Sequence, residues 1–206
     1  LPVFAIFFPI ETAVVATALV HLANNLFKGV MLGRFANLRV VVQFGVPALL
    51  AAIAGAYLLD SLAGAEPITT WSLGSRTCAI TPVGLVIGLL VVVFSGFELH
   101  PVSRSIGFDI RWMPAGGAIS GFLGGLSGHQ GAMRTAFLIR LRMEKEAFLG
   151  TGILCAILVD LARLSTYALL AGGPDVGGVA DQTPLVVAAT VSAFAGSWVG
   201  RKLLPS

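Results

Sequence analysis

Six apolar stretches, at about 12–32, 40–59, 79–97, 113–141, 147–171 and 184–204, dominate the chain, each bounded by glycine, proline or charged residues. A bilayer core of ~30 Å takes about 20 apolar residues per helix. Within it the backbone must satisfy its own hydrogen bonds, so stretches of this kind are read as helices. Composition agrees with that solvent: 56% of residues are hydrophobic and 11% charged, where a soluble domain carries roughly 25% charged residues. The expected fold class is therefore an all-α polytopic membrane protein, a single transmembrane domain over 1–206 whose first partner is the lipid bilayer. A net charge of +3, scattered over segment ends, excludes nucleic acid as a partner. Cys78 and Cys155 lie in different segments and have no ligand-like spacing, so neither a disulfide framework nor a zinc site is expected.

Charge orients the segments, because short cytoplasmic loops are enriched in Lys and Arg. Lys28, Arg34 and Arg39 place the first connection inside, and Asp60 and Glu66 place the second outside, against the vote of Arg76. Arg104 and Arg111 bring the chain back inside. Arg140, Arg142 and Lys145, at the far end of the 113–141 segment, also vote for the inside. A segment that begins and ends on one side is not a simple span. We expect a re-entrant or broken helix at about 113–141, two half-helices meeting near Ser127, Gly128, His129, Gln130 and Gly131. Non-helical backbone at that depth is tolerated only where protein buries it or an aqueous cavity meets it. Asp175 and Asp181 then lie outside, and Arg201 and Lys202 inside.

An internal repeat is visible. ETAVVATALVHLANNLFK at 11–28 aligns with EKEAFLGTGILCAILVDLAR at 144–163, and AAIAGAYLL at 51–59 echoes SAFAGSWVG at 192–200. The charge-derived orientation makes the two copies inverted, the architecture of many secondary transporters. The first repeat is expected over about 1–97, without its own Gly-rich segment, and the second over about 113–206. The chain opens LPVFAIFFPIETAVV with neither Met nor a basic leader, so further sequence upstream is expected.

The polar residues inside these segments are the candidates for function. A half-helix starting near Gly131 would direct its positive end and free amides at an anion. Ser127, Gly128, His129, Gln130 and Gly131, with Arg134 one turn on, are the candidate substrate-binding residues. The alternative is structural, with glycines as packing contacts, His129 and Gln130 as interhelical hydrogen bonds, and Arg134 reaching a headgroup. Asp160 and Arg163 sit i,i+3 on one helix face and can pair. They form either a gating and proton-coupling pair or an ion pair that pins helices. Asn25 and Lys28 occupy the equivalent region of the first repeat and are the remaining gating or coupling candidates. His21 reads as a packing residue and Glu11 as a helix-start residue. Glu98 and His100 lack a third ligand, so no metal is assigned, and no cofactor motif is present. Trp71, Trp112 and Trp198 stand at segment ends, as interfacial aromatics do.

GFLGGLSGHQGAMRTAFL at 121–138, followed by VDLARLSTY at 159–167, resembles the second-repeat motif of the sulfite exporter family TauE/SafE, in a GHQG-containing subgroup. ETAVVATALV and GRFANLRVVVQFGVPALLAAIAGAYL are similar to its first-repeat helix pair. The resemblance implies an inverted-repeat permease of a prokaryotic inner membrane, moving sulfite, an organosulfonate or a related sulfur compound by alternating access. It implies no enzyme activity, and it is compatible with a homo-oligomer. Two other classes compete: a membrane enzyme using His129 and Asp160 as acid and base, and a non-transporting membrane subunit.

Overall fold

The computed structural model describes Phe4 and residues 8–74, 76–99, 110–170 and 183–203. Arg104, His100, Asp175 and Asp181 lie outside the described residues, as do the side chains of Glu11, Arg76 and Glu98.

Seven helices follow one another among the described residues: α1 (Ile10–Leu32), α2 (Leu38–Ala63), α3 (Pro82–Leu99), α4 (Met113–Ser127), α5 (Gly131–Leu138), α6 (Lys145–Leu169) and α7 (Thr183–Leu203). Four of them, α1, α2, α6 and α7, are long and apolar enough to cross a membrane. Proline stands at the start of several, with Pro82 opening α3 and Pro114 in the first turn of α4, where a missing N–H has no helical partner to lose. Inside α2 the same residue type must be accommodated differently. Pro47 cannot donate to the carbonyl of residue 43, and the helix passes it with a π turn at Val41–Gly45.

One element departs from the expectation of an all-helical chain. β1 (Thr69–Leu73) and β2 (Arg76–Ile80) pair antiparallel with Trp71 opposite Cys78, and Gly74 in the turn has φ +64°. The apolar stretch expected from residue 79 therefore begins as strand and becomes helix only at Pro82.

The 113–141 stretch is broken where its glycine and polar residues predict. α4 has 15 residues and is ~22 Å long at 1.5 Å per residue, too short for a ~30 Å core. Gly128 caps it with φ +80°, the left-handed conformation that glycine enters at no steric cost. α5 then runs back along α4, since a Cβ added at Gly116, in the first turn of α4, would strike the ring of Phe137 near the end of α5. The two half-helices form a re-entrant hairpin, α4 and α5, with both feet at one end of the molecule.

Close packing against α2 holds the hairpin in place. Gly117, Gly121 and Gly125 recur every fourth residue of α4, and a Cβ on any of them would fall on the backbone of Phe44, Ala48 or Ala52. Gly55 on α2 meets Phe122 in the same way. Lipid tails are as apolar as side chains, so helices in a bilayer associate through packing, and small residues allow two backbones to approach. Val41, Phe44, Ala48, Phe137, Leu138 and Val159 form one buried cluster where α2, the hairpin and α6 meet. A second, with Val14, Ala56, Leu59, Ile87, Leu126 and Tyr167, joins α1, α2, α3 and the hairpin tip to α6. α7 buries no residue fully and leans on α1 through stacked Phe27 and Phe194 rings, 4.7 Å apart, and a 2.7 Å bond from Ser197 to Asn24.

Candidate functional site

A helix that stops inside a membrane leaves its last carbonyls without helical partners, and at that depth the protein must supply them. α6 does so. Tyr167 Oη donates to Gly125 O at 2.5 Å, and Arg163 Nη1 adds a second donor, at 3.4 Å, to Gly124 O. A cation at a helix C-terminus also meets the negative end of the helix dipole. The turn itself uses Gly128 N to Gly124 O at 2.9 Å and Gln130 N to Gly128 O at 3.1 Å, while Ser120 Oγ donates to Gln130 O at 3.0 Å.

Beneath this tip lies a buried polar cluster centred on Asp160. Its Oδ1 accepts from Arg163 Nη2 at 2.8 Å and from Gln130 Nε2 at 3.5 Å, and its Oδ2 accepts from Asn25 Nδ2 at 2.9 Å. His21 Nδ1 stands 3.6 Å from Oδ2 and 3.4 Å from Asn25 Nδ2. Asp160 is 0% and Arg163 1% exposed, so the pair sits in a low-dielectric interior where its hydrogen bonds offset the cost of burial, while Arg163 Nε has no hydrogen-bond partner among the described residues. Three elements contribute to it: α1 through Asn25 and His21, the hairpin tip through Gln130, and α6 through Asp160 and Arg163.

The other expected residues are distributed around this cluster. Ser127 is buried and donates to Leu123 O at 3.1 Å, and His129 Nδ1 is 3.3 Å from its hydroxyl oxygen. The His129 ring stacks on Phe94 of α3, with centroids 6.2 Å apart. A Cβ on Gly128 would stand 2.8 Å from Arg163 Nη1, so the bare backbone there makes room for the guanidinium. Gly131 is exposed at the start of α5 with open space around its Cα. Among the described residues no group of three or more His, Cys, Asp and Glu is placed to hold a metal ion.

Arg134 and Lys28 belong to a different environment. A cavity of about 740 Å³ opens between α1, α5, α6 and α7, and Asn25 lies at its lining. Lys28, Arg34, Arg134, Lys145 and Arg201 also line it, against one carboxylate among the described residues, Glu146. Arg134 Nε passes 3.5 Å from where a Cβ of Gly152 would be, and its Nη1 is buried with no hydrogen-bond partner among the described residues. A buried guanidinium N–H without a partner is costly, and an anion in the cavity would satisfy it. Asn25 lines the cavity on one side and bonds the Asp160 carboxylate on the other, so it joins the cationic chamber to the buried cluster.

A family model described as Sulfite exporter TauE/SafE matches residues 1–206. The chain belongs to that family. Neither a curated protein nor a solved structure matches it. For this TauE/SafE chain, membership and four membrane-length helices make it an integral membrane transporter. Tyr167 and His21 are the two members of the site that sequence reasoning did not assign. Tyr167 follows Asp160 by seven residues and Arg163 by four, so the helical face that carries the ion pair was the available signal. His21 precedes Asn25 by four and offered the same one.

Proposed function

We propose that the protein is a secondary permease that carries a small anion, such as sulfite, an organosulfonate or a related sulfur compound, across the membrane by alternating access. The observation that carries this reading is the chamber lined, among the described residues, by five cations and a single carboxylate, with the Nη1 of Arg134, which has no partner among them, at its wall. Charge of one sign in a cleft with low-dielectric walls draws counter-ions in. Arg34, Lys145 and Arg201 attract the anion, and Lys28 and Arg134 replace part of its water. Ser127, Gly128, His129, Gln130 and Gly131 form the tip that faces the next stage of the path.

The buried cluster would couple occupancy to movement. Gln130 belongs to the hairpin and Asn25 to α1, and both hold the same carboxylate, so displacing the hairpin requires Asp160 and Arg163 to exchange partners. Proton coupling would pass through Asp160, and the histidine nearest to it is His21 rather than His129. The inverted-repeat reading is supported by reciprocal packing, in which α2 lies against α6 and α7 against α1.

The test is flux of sulfite and of an organosulfonate into proteoliposomes, comparing the unmodified protein with Arg134→Ala and Lys28→Ala. Loss of one charge-assisted hydrogen bond should weaken the anion about 10–100-fold. Flux that persists unchanged in both folded variants would remove the chamber from the path.

A further inference from the structure

A second cavity lies apart from the anion chamber, and its chemistry suits a different ligand. It has a volume of about 510 Å³, is open on one side, and is lined by three pieces of chain. Asn37, Arg39 and Gln43 come from the first turns of α2, Arg111 and Pro114 from one foot of the hairpin, and Leu141 and Met143 from the other. The walls are tied together. Thr151 of α6, fully buried, accepts from Asn37 N at 2.9 Å and points its hydroxyl at Met143 Sδ, 4.0 Å away.

Two features separate this cavity from ordinary surface relief. Gln43 stands in the π turn of a membrane helix, and its amide makes no hydrogen bond among the described residues. Arg39, four residues before it and on the same helical face, likewise has no ion-pair partner among them. Arg111 brings a second cation from across the cavity, beside the exposed Trp112. Two guanidinium groups and an amide next to Leu141 and Met143, beside an interfacial tryptophan, match an anionic head with an apolar tail. The basic residues assign this level to the cytoplasmic leaflet, whose anionic lipids attract juxtamembrane cations.

We propose that this cavity binds the phosphodiester headgroup of an anionic phospholipid. Arg39 and Arg111 hold the phosphate, Gln43 donates to it, and the first acyl carbons lie against Leu141 and Met143. A lipid in that place joins both feet of the re-entrant hairpin to α2. The site is independent of the transported anion, because none of these residues lines the chamber that holds Arg134.

Native mass spectrometry of the delipidated full chain in detergent tests this, with dioleoyl phosphatidylglycerol, dioleoyl phosphatidylcholine and inorganic phosphate as probes. The expected result is one phosphatidylglycerol retained in preference to phosphatidylcholine, and about tenfold or greater loss of that retention in Arg39→Gln/Arg111→Gln. Lys202→Gln, at the end of α7, should leave retention unchanged. Gln43→Glu, which keeps the shape and adds a repelling charge, must weaken phosphatidylglycerol too, and covers the case in which the double variant does not fold. Equal retention of the two lipids, or retention insensitive to Gln43→Glu, overturns the proposal. So does an equal loss in Lys202→Gln, or displacement of the lipid by an equal concentration of inorganic phosphate.

Discussion

Asn25 on α1 donates its side-chain amide to Asp160 on α6 at 2.9 Å, across 135 residues of sequence. That bond joins α1 to α6 at the place where the re-entrant hairpin also arrives, because Gln130 reaches the other oxygen of the same carboxylate. Local rigidity and the postulated movement therefore meet at one buried side chain.

Asp160 is the first test of that arrangement. Asp160→Leu leaves the Arg163 guanidinium buried without its counter-charge, a change that costs about 3–5 kcal/mol where measured in protein interiors. Asp160→Leu/Arg163→Leu should recover part of the loss, since two apolar groups replace two charges while the buried Asn25 and Gln130 amides still lose their acceptor. Thermal unfolding in detergent micelles measures both, and a double variant no more stable than the single one would show that the pair is not a self-contained unit.

Tyr167 is a narrower probe. Tyr167→Phe keeps the ring in its cluster and removes the donor from Gly125 O, leaving that buried carbonyl short of a partner at a cost of about 1–3 kcal/mol. Its effect should show as lowered unfolding temperature and faster amide exchange at the hairpin tip. Unchanged exchange there would mean that water already satisfies the carbonyl.

Two glycines distinguish packing from propensity. Gly121→Ala places a methyl on the backbone of Ala48 and should force α4 away from α2, with a penalty on the order of 1–3 kcal/mol or failure to fold. Gly88→Ala, in α3 with open space around it, should be neutral or raise stability by about 0.5–1 kcal/mol. Expression yield and unfolding temperature of the two proteins, side by side, decide it.

Gly128→Ala tests the cap. An L side chain at φ +80° costs roughly 1–2 kcal/mol, and the new methyl would also press on Arg163 Nη1. Gly128→Asn, whose residue type enters the left-handed region more readily, should be better tolerated by the backbone but no better against Arg163. Comparable loss of unfolding temperature in both variants would identify the guanidinium contact as the larger of the two costs.

Much of this is legible in the sequence. The break in the 113–141 stretch follows from glycines and polar groups that an ordinary span would not carry, and from basic residues at both of its ends. Gln130, Asp160, Arg163 and Asn25 each stand out as polar residues in apolar segments, and the structure brings all four into one cluster. The β hairpin at Thr69–Ile80 is not legible in the sequence, because a short pairing between two helices depends on which residues face each other and leaves little periodic trace.

What the sequence determined by itself is the solvent and the local interruptions. Transfer of apolar side chains into lipid, the loss of a donor at proline, the permissiveness of Gly128 and the placement of basic residues all act within a few residues of chain. Only the tertiary structure decided which distant faces meet. It put Tyr167 under Gly125, turned His129 to Phe94 and left His21 beside Asp160, and it separated Arg134 and Lys28 into a chamber of their own. Helices in a bilayer gain little from burying one apolar face against another rather than against lipid, so partner choice rests on backbone approach at small residues and on satisfying buried polar groups. Both are properties of two surfaces together, and neither is written in the segment that carries only one of them.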